Sequence, residues 1–385
     1  MILHLLGESK FDSLIMNQME ECYPGENIFL LFSVNRSLNI FEPIYRDRIL
    51  FQEDFPSIDF RNIDGIIIHY LSIAKAELLR SIPNNIPVAC NIWGGDFYNF
   101  LPEFRQNLYS ALTKKYLNHT RKRPRFYYIL KDSILFPISH NYKLWEKAVE
   151  KSKIFSTVIP YEKSLVEKYF NSNSKYLNLP TYSLEKVLNT DNYESTILTK
   201  EKFQMKILIG NSGNPTNNHL EILHFVKSLN AENISVHLPL TYGDNDYIKH
   251  ICKTGNYLLG KKFCPVLNHL NNTDFFNFIN CFNIFIFNNY RQQGVGTIIL
   301  ALWSGGKIYL SNKNVTSSFY RDMGLKIFSI EDDLLLSDST DLFNPLTREE
   351  ILVNRNGLLK LYSNETVNNL IKCFTDSLKK ININN

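Results

Sequence analysis

The sequence predicts an α/β protein of two Rossmann-like domains facing each other across a cleft. Three observations predict it. The chain has 385 residues, more than one core commonly supports. Short apolar runs alternate with longer amphipathic ones. The alternation breaks at a polar, mixed-charge stretch near 183–203 and then restarts. Strands alternating with helices imply parallel βαβ units in a doubly wound sheet. The expected domains are 1–185 and 200–355. A C-terminal helix within 356–385 is expected to pack back on the first.

In the first half, 2–6, 28–33, 65–69, 87–92 and 154–159 read as buried strands: each is short, apolar and closed by polar or glycine residues. Helical patterns fall at 72–80, 97–116 and 161–170. In the second half strands are expected at 205–209, 234–240, 283–287, 307–310 and 326–330. Helices are expected at 215–229, 246–253, 274–282, 295–303 and 317–323. From 365 to 380, Val367, Leu370, Ile371, Phe374 and Leu378 recur on one helical face.

Composition excludes several classes. Forty-two basic against 38 acidic residues give +4, too balanced for a nucleic-acid binder. The six cysteines form no CxxC pair, so neither a disulfide framework nor a zinc site is expected, and a reducing compartment fits. No uncharged run reaches the ~18 residues of a membrane span, so the chain is expected to be soluble or at most peripheral. One local cluster stands out: Lys114, Lys115, Arg121, Lys122, Arg123 and Arg125, with His119 among them. It reads either as a solvated loop or as a contact for anionic lipid headgroups or a lipid diphosphate.

Ligands of doubly wound sheets bind beyond the carboxyl ends of the strands, so the chemistry is sought in the strand-to-helix turns. The first turn runs Gly210-Asn211-Ser212-Gly213-Asn214-Pro215, with Asn217 and His219 beyond. Asn214 suits an N-cap and Pro215 a first helical turn. Its glycines and free N–H groups favour an anion, and the plain alternative is a tight turn. The second turn is Asn289-Tyr290-Arg291-Gln292-Gln293-Gly294-Val295-Gly296-Thr297. There a glycine-rich helix start, a hydroxyl and a fixed positive charge suit a diphosphate. The third is Trp93-Gly94-Gly95-Asp96-Phe97-Tyr98. Asp96 either caps a helix or orients and deprotonates an acceptor hydroxyl, and Trp93 either stacks on a sugar or packs. Tyr242 ends a further strand and either contacts a nucleotide or forms part of a turn. His4, His69 and His219 lie near strand ends, in no metal-binding pattern.

Together these segments resemble glycosyltransferase family 56, the bacterial TDP-4-acetamido-4,6-dideoxygalactose (TDP-Fuc4NAc):lipid II transferases of enterobacterial common antigen synthesis. The matching pieces are 92–98, 207–213 with Asn217 and His219, Pro239 with Tyr242, and 291–297. The resemblance implies a GT-B fold, a TDP-sugar donor (or a UDP-sugar), and a lipid-diphosphate-linked saccharide acceptor at the cytoplasmic face of the membrane. It also implies metal-independent hexosyl transfer with no cofactor, in a surface-polysaccharide pathway. On this reading Gly210, Asn211, Ser212, Gly213, Asn217, His219, Tyr242, Gln292, Gln293, Gly294, Gly296 and Thr297 bind the donor. Asp96 and Arg291 are catalytic, while Trp93, Lys114, Lys115, Arg121, Lys122 and Arg123 meet acceptor or membrane. Two rival readings are a nucleotide-sugar epimerase or hydrolase of the same shape, and a non-catalytic sugar-binding partner in a glycan-assembly complex.

Overall fold

A computed structural model describes residues 1–7, 11–32, 47–120, 125–188, 205–270, 272–336 and 342–383. The chain divides into two compact units. The first comprises Met1–Pro102, Phe126–Lys186 and Tyr362–Asn385; the second comprises Glu103–Arg125 and Val187–Leu361.

Unit 1 is a parallel sheet of β1 (Ile2–Leu6), β2 (Asn27–Leu31), β3 (Ile49–Phe51), β4 (Gly65–His69), β5 (Val88–Ile92), β6 (Ser152–Thr157) and β7 (Lys175–Tyr176). The strand order is β3-β2-β1-β4-β5-β6-β7. The chain winds outward from β1 in one direction and then, from β4, in the other. The switch point therefore lies between β1 and β4. Strands β1, β4 and β5 are buried along their whole length, which is why they read as unbroken apolar runs. One face packs against the helix Asp12–Cys22 and the C-terminal helix Asn364–Ile383. Val367, Ile371, Phe374 and Leu378 of the latter are fully buried against this sheet. Their spacing of four, three and four residues keeps them on one face.

Unit 2 repeats the plan with β8 (Met205–Ile209), β9 (Ile234–Pro239), β10 (Phe263–Val266), β11 (Ile284–Phe287), β12 (Lys307–Leu310) and β13 (Phe328–Ser329). The order is β10-β9-β8-β11-β12-β13, with the switch point between β8 and β11. The helix Ala111–Thr120 belongs to this unit and packs on the helix His219–Ser228. Its first turn is held by Glu221, whose carboxylate accepts from Leu112 N at 2.7 Å and Thr113 N at 3.1 Å. A carboxylate on the N-terminal N–H groups of a helix is the expected complement to its dipole.

The structure departs from the sequence reading in several places. The single helix expected over 97–116 is three: Gly95–Tyr98, Pro102–Arg105 and Ala111–Thr120. Pro102 cannot continue a helix from the turns before it. The helix expected from Pro215 starts as a short 3-10 turn, Pro215–Asn217, capped by the Asn214 side chain. Asn218 then turns left-handed (φ 50°), and the α-helix begins at His219. The helix expected at 317–323 spans Val315–Asp322. The linker stretch falls mainly on 189–204, outside the described residues.

Candidate functional site

In unit 2 the two glycine-rich turns follow β8 and β11, the strands flanking the switch point. The β-ladder joins them directly, with Gly210 N donating to Ile286 O at 2.9 Å. Gly210 has φ +69°, and a Cβ there would lie 2.6 Å from His219 Nε2 and 2.8 Å from Asn217 Oδ1. Only glycine allows both the conformation and the approach. Gly294 caps the helix Val295–Trp303 at φ +68°, and its Cβ would stand 2.9 Å from Asn211 Cγ.

The side chains of the two turns bond mainly to one another. Asn217 Oδ1 accepts from Asn211 N at 3.1 Å and from Asn289 Nδ2 at 3.3 Å, while Asn217 Nδ2 donates to Ser212 O at 2.9 Å. Gln293 crosses between the turns. Its Nε2 donates to Asn211 Oδ1 at 3.0 Å, and its Oε1 accepts from Thr216 Oγ1 at 2.6 Å. Asn211 Nδ2 reaches Tyr242 OH at 3.4 Å. The turn after β9 is tied in by Gly213 N donating to Tyr242 O at 2.7 Å. Of the residues expected to bind a donor, Asn211, Ser212, Gly213, Asn217, Tyr242 and Gln293 thus form one bonded framework. Gly296 and Thr297 lie half-buried in the first turn of the helix Val295–Trp303.

Arg291 and His219 are buried in the same turns. Arg291 is buried, and its Nη1 donates to Gln292 O at 2.8 Å, so its guanidinium folds onto its own turn. His219 is fully buried against Gly210 and is held neutral by desolvation, its pKa pushed down to about 3. Among the described residues neither of its ring nitrogens has a hydrogen-bond partner, nor has Gln292 Oε1 or Asn289 Oδ1. Buried polar atoms are normally paired with protein groups or ordered water.

The sequence reading placed Asn218 and Asn289 in the two turns but gave them no role. Asn218 is the hub that fastens the segment before the helix Ala111–Thr120. Its Oδ1 accepts from Ser110 N at 2.9 Å, and its Nδ2 donates to Leu108 O at 3.1 Å and Asn288 O at 2.8 Å. Paired asparagines at 217–218 and 288–289, each just beyond an apolar strand, were the signal available.

In unit 1 Asp96 is buried at the carboxyl edge of the sheet. Oδ2 accepts from Leu71 N at 3.0 Å and Oδ1 from Trp93 N at 3.0 Å, so one carboxylate joins the turns after β4 and β5. Burial raises its pKa to about 6, against the pull of those N–H groups and of Lys75. Lys75 is itself buried, donates to Tyr70 O at 3.1 Å and to His69 O, and is lowered to about 8 by desolvation. Trp93 is half-buried and meets Tyr70 and His69 edge-on. Lys114 and Lys115 are exposed on unit 2; Arg121, Lys122 and Arg123 lie outside the described residues. Among the described residues no cluster of His, Cys, Asp and Glu could hold a metal ion, and no helix is long and apolar enough to cross a membrane.

Solved structures share this architecture at low identity. Sucrose-phosphate synthase from Thermosynechococcus elongatus superposes with a TM-score of 0.64 at 10% identity, over 98% of both chains. HepE from Anabaena, solved with UDP-glucose, gives 0.63 at 9% over 98% of this chain and 99% of its own. A glycosyltransferase from Rickettsia africae gives 0.57 at 12% over 99% and 98%. The fold is the GT-B type of two Rossmann-like units. At the level of sequence, residues 148–342, a little over half of the 385, match the family described as 4-alpha-L-fucosyltransferase, glycosyl transferase group 56. The matched span contains both glycine-rich turns and the whole framework between them, and the chain belongs to that family: it is a glycosyltransferase of group 56.

Proposed function

We propose that the enzyme transfers an acetamido-dideoxy hexose from a TDP-sugar to a lipid-diphosphate-linked saccharide in bacterial surface-glycan synthesis. The observation that carries the donor end is the cross-bonding of the β8 and β11 turns through Gln293. It brings the amino end of the helix Val295–Trp303 beside the turn 210–214. Main-chain N–H groups at a helix start, the dipole behind them and Arg291 together suit a diphosphate, whose charge grows as the glycosidic bond breaks. On this reading Arg291 unfolds from Gln292 O toward the ligand, and no resident metal is required. HepE, solved with UDP-glucose, gives a precedent for a nucleotide sugar on this fold.

At the acceptor end Asp96 acts by position, since both its oxygens already hold main-chain N–H groups that shape the turn carrying Trp93. A lipid acceptor calls for attachment at the cytoplasmic membrane face. Lys114 and Lys115 on unit 2 support it, as does an apolar row on unit 1. There Phe126, Leu130, Ile134 and Ile138 recur every four residues and are 72%, 36%, 55% and 64% exposed.

Transfer of label from TDP-sugar to a prenyl-diphosphate saccharide tests the reading. Arg291→Ala should cut turnover at least a hundredfold while shifting the unfolding midpoint little, as expected for a group acting on developing charge. Unchanged turnover would remove Arg291 from the mechanism. Conversion of donor without acceptor would point to an epimerase or hydrolase.

A further inference from the structure

Tyr70 stands just after β4 in unit 1 with a left-handed backbone, φ 61°. Among the described residues the other non-glycine positions of positive φ are Asn218 and Asn230, and asparagine tolerates that region. A bulky aromatic residue is strained there, and such strain persists only where the surroundings over-determine it. Both peptide units flanking Tyr70 are held at every polar atom. Tyr70 N donates to Asn91 O at 3.0 Å, and Leu71 N donates to Asp96 Oδ2 at 3.0 Å. Lys75 Nζ donates to Tyr70 O at 3.1 Å and to His69 O. Lys75 and Asp96 are 1% and 3% exposed, and burial of charged groups is costly. Two of them are thus committed to the backbone of one tyrosine. Glycine would take the same conformation without strain, so the ring supplies something that glycine cannot.

Core packing is a poor account of that contribution, since Tyr70 is 37% exposed. The ring lies close over the glycine turn after β5: a Cβ at Gly95 would stand 3.2 Å from Tyr70 Cε2 and 3.4 Å from its hydroxyl oxygen. The same turn carries the half-buried Trp93. The rings of Tyr70 and Trp93 are 6.4 Å apart and inclined at 70°. Trp93 is braced edge-on by Phe11 at 6.2 Å and by the buried His69 at 6.4 Å. Two braced, partly open rings therefore form a corner beyond β4 and β5, at the strand ends where a doubly wound sheet takes its ligands. Lys75 and Asp96 are engaged by main-chain atoms, so the corner presents ring surface and a phenolic hydroxyl rather than charge. A pyranose ring complements it, with an apolar C–H face to lie on an aromatic ring and a hydroxylated rim.

We infer that Tyr70 and Trp93 form a stacking site for an uncharged pyranose ring, a sugar of the acceptor saccharide. The assignment to the acceptor rests on the glycosyl-transfer reading above, whereas the stacking site rests on unit 1 alone.

Tryptophan fluorescence of the full chain reads this site without reference to activity. Of the three tryptophans, Trp145 and Trp303 are 1% and 4% exposed, so quenching by acrylamide reports mainly on Trp93. Methyl pyranosides and N-acetylhexosamine disaccharides should protect Trp93 saturably, and inorganic pyrophosphate should not. Absence of protection by every saccharide overturns the inference. Tyr70→Gly suits the left-handed backbone, so the unfolding midpoint should not fall, while saccharide affinity drops roughly three- to tenfold, the usual worth of a well-placed aromatic contact. Tyr70→Phe keeps the ring and should keep most of the affinity. Unchanged affinity in Tyr70→Gly would leave Tyr70 a turn residue and overturn the inference. Transfer to a prenyl-diphosphate saccharide reads the acceptor assignment separately. There Tyr70→Gly should raise KM for the saccharide by the same factor and leave KM for the nucleotide sugar unchanged. Protection by saccharides in a chain that transfers to none would sink the acceptor reading and leave the stacking site standing. Transfer with the acceptor KM unmoved in Tyr70→Gly would keep the reaction and overturn the assignment.

Discussion

The two switch points are built from opposite materials. At the carboxyl ends of β8 and β11 the side chains are uncharged amides that bond one another, and the only fixed charge in these turns is Arg291. Within and just beyond β1, β4 and β5 the ionisable side chains His4, His69, Lys75 and Asp96 are buried. Amides hold a turn in shape at any pH and leave its main-chain donors for a ligand. Buried acids and bases have displaced titrations. The proposed function uses the first arrangement to grip a diphosphate. Unit 2 should accordingly fail when its geometry is changed, and unit 1 when its protonation is.

Acidification should have the largest effect and tests the contrast as a whole. His4 and His219 titrate near 4 and 3 in the folded chain, against about 6.5 unfolded. The unfolded chain takes up more protons in that window, so stability is intact above about pH 6.5 and is lost as pH falls toward 4. At pH 5 the loss is about 2 kcal/mol for each of these histidines. His69, lowered by burial, adds to it with the same sign. Asp96 opposes it. Its raised pKa makes the folded state bind more protons between about 4 and 6, so acidification relieves part of its burial penalty. Urea unfolding followed from pH 7 to 5 should show unit 1 losing more than unit 2. The lowered histidines of unit 1, His4 and His69, are both fully buried, whereas of the lowered histidines His219, His237 and His250 in unit 2 only His219 is fully buried. Equal sensitivity of the two units would break the comparison.

Gly294→Val should come next. Its left-handed backbone costs a β-branched residue about 1–3 kcal/mol, and the Cβ meets Asn211. The loss should be the same at pH 6 and pH 8, with nucleotide affinity reduced tenfold or more by titration calorimetry. A pH-dependent loss would mean that unit 2 also relies on titration. The smallest effect belongs to the surface. Lys114→Glu with Lys115→Glu should weaken binding to anionic vesicles by about 1 kcal/mol per charge removed, and co-sedimentation at low and high salt measures it. Unchanged binding would leave the apolar row at 126–138 as the sole contact.

Much of the fold was legible because parallel strands buried on both faces leave long apolar runs. β1, β4, β8 and β12 fall on the expected residues. β3, β7 and β10 escaped notice for a shared reason: all three are edge strands, of three, two and four residues. β10 also carries Pro265, which an edge strand tolerates and an apolar-run criterion discounts. The helices Asp12–Cys22 and His140–Lys151 were likewise passed over, the first having a weak polar–apolar contrast on its faces. In the site, the glycine turns announced themselves because positive φ demands glycine. The bonds of Gln293 did not, because they link residues 77 and 82 positions away. The contact of His4 with His69 was invisible for the same reason. His4 and His69 meet only through the register of β1 with β4, and a lone histidine in a strand reads as core.

The claim that unit 2 binds the nucleotide end of the donor is tested most directly by ligand-induced stabilisation. TDP, UDP and GDP, with their sugars, should be titrated against wild type and Gly294→Val. A ligand at a hundredfold excess over its Kd stabilises by about 2.7 kcal/mol. The account predicts that thymidine diphosphate and its sugar raise the unfolding midpoint of the wild type most, and that Gly294→Val abolishes the shift. No shift with any nucleotide, or an equal shift in the variant, would contradict it.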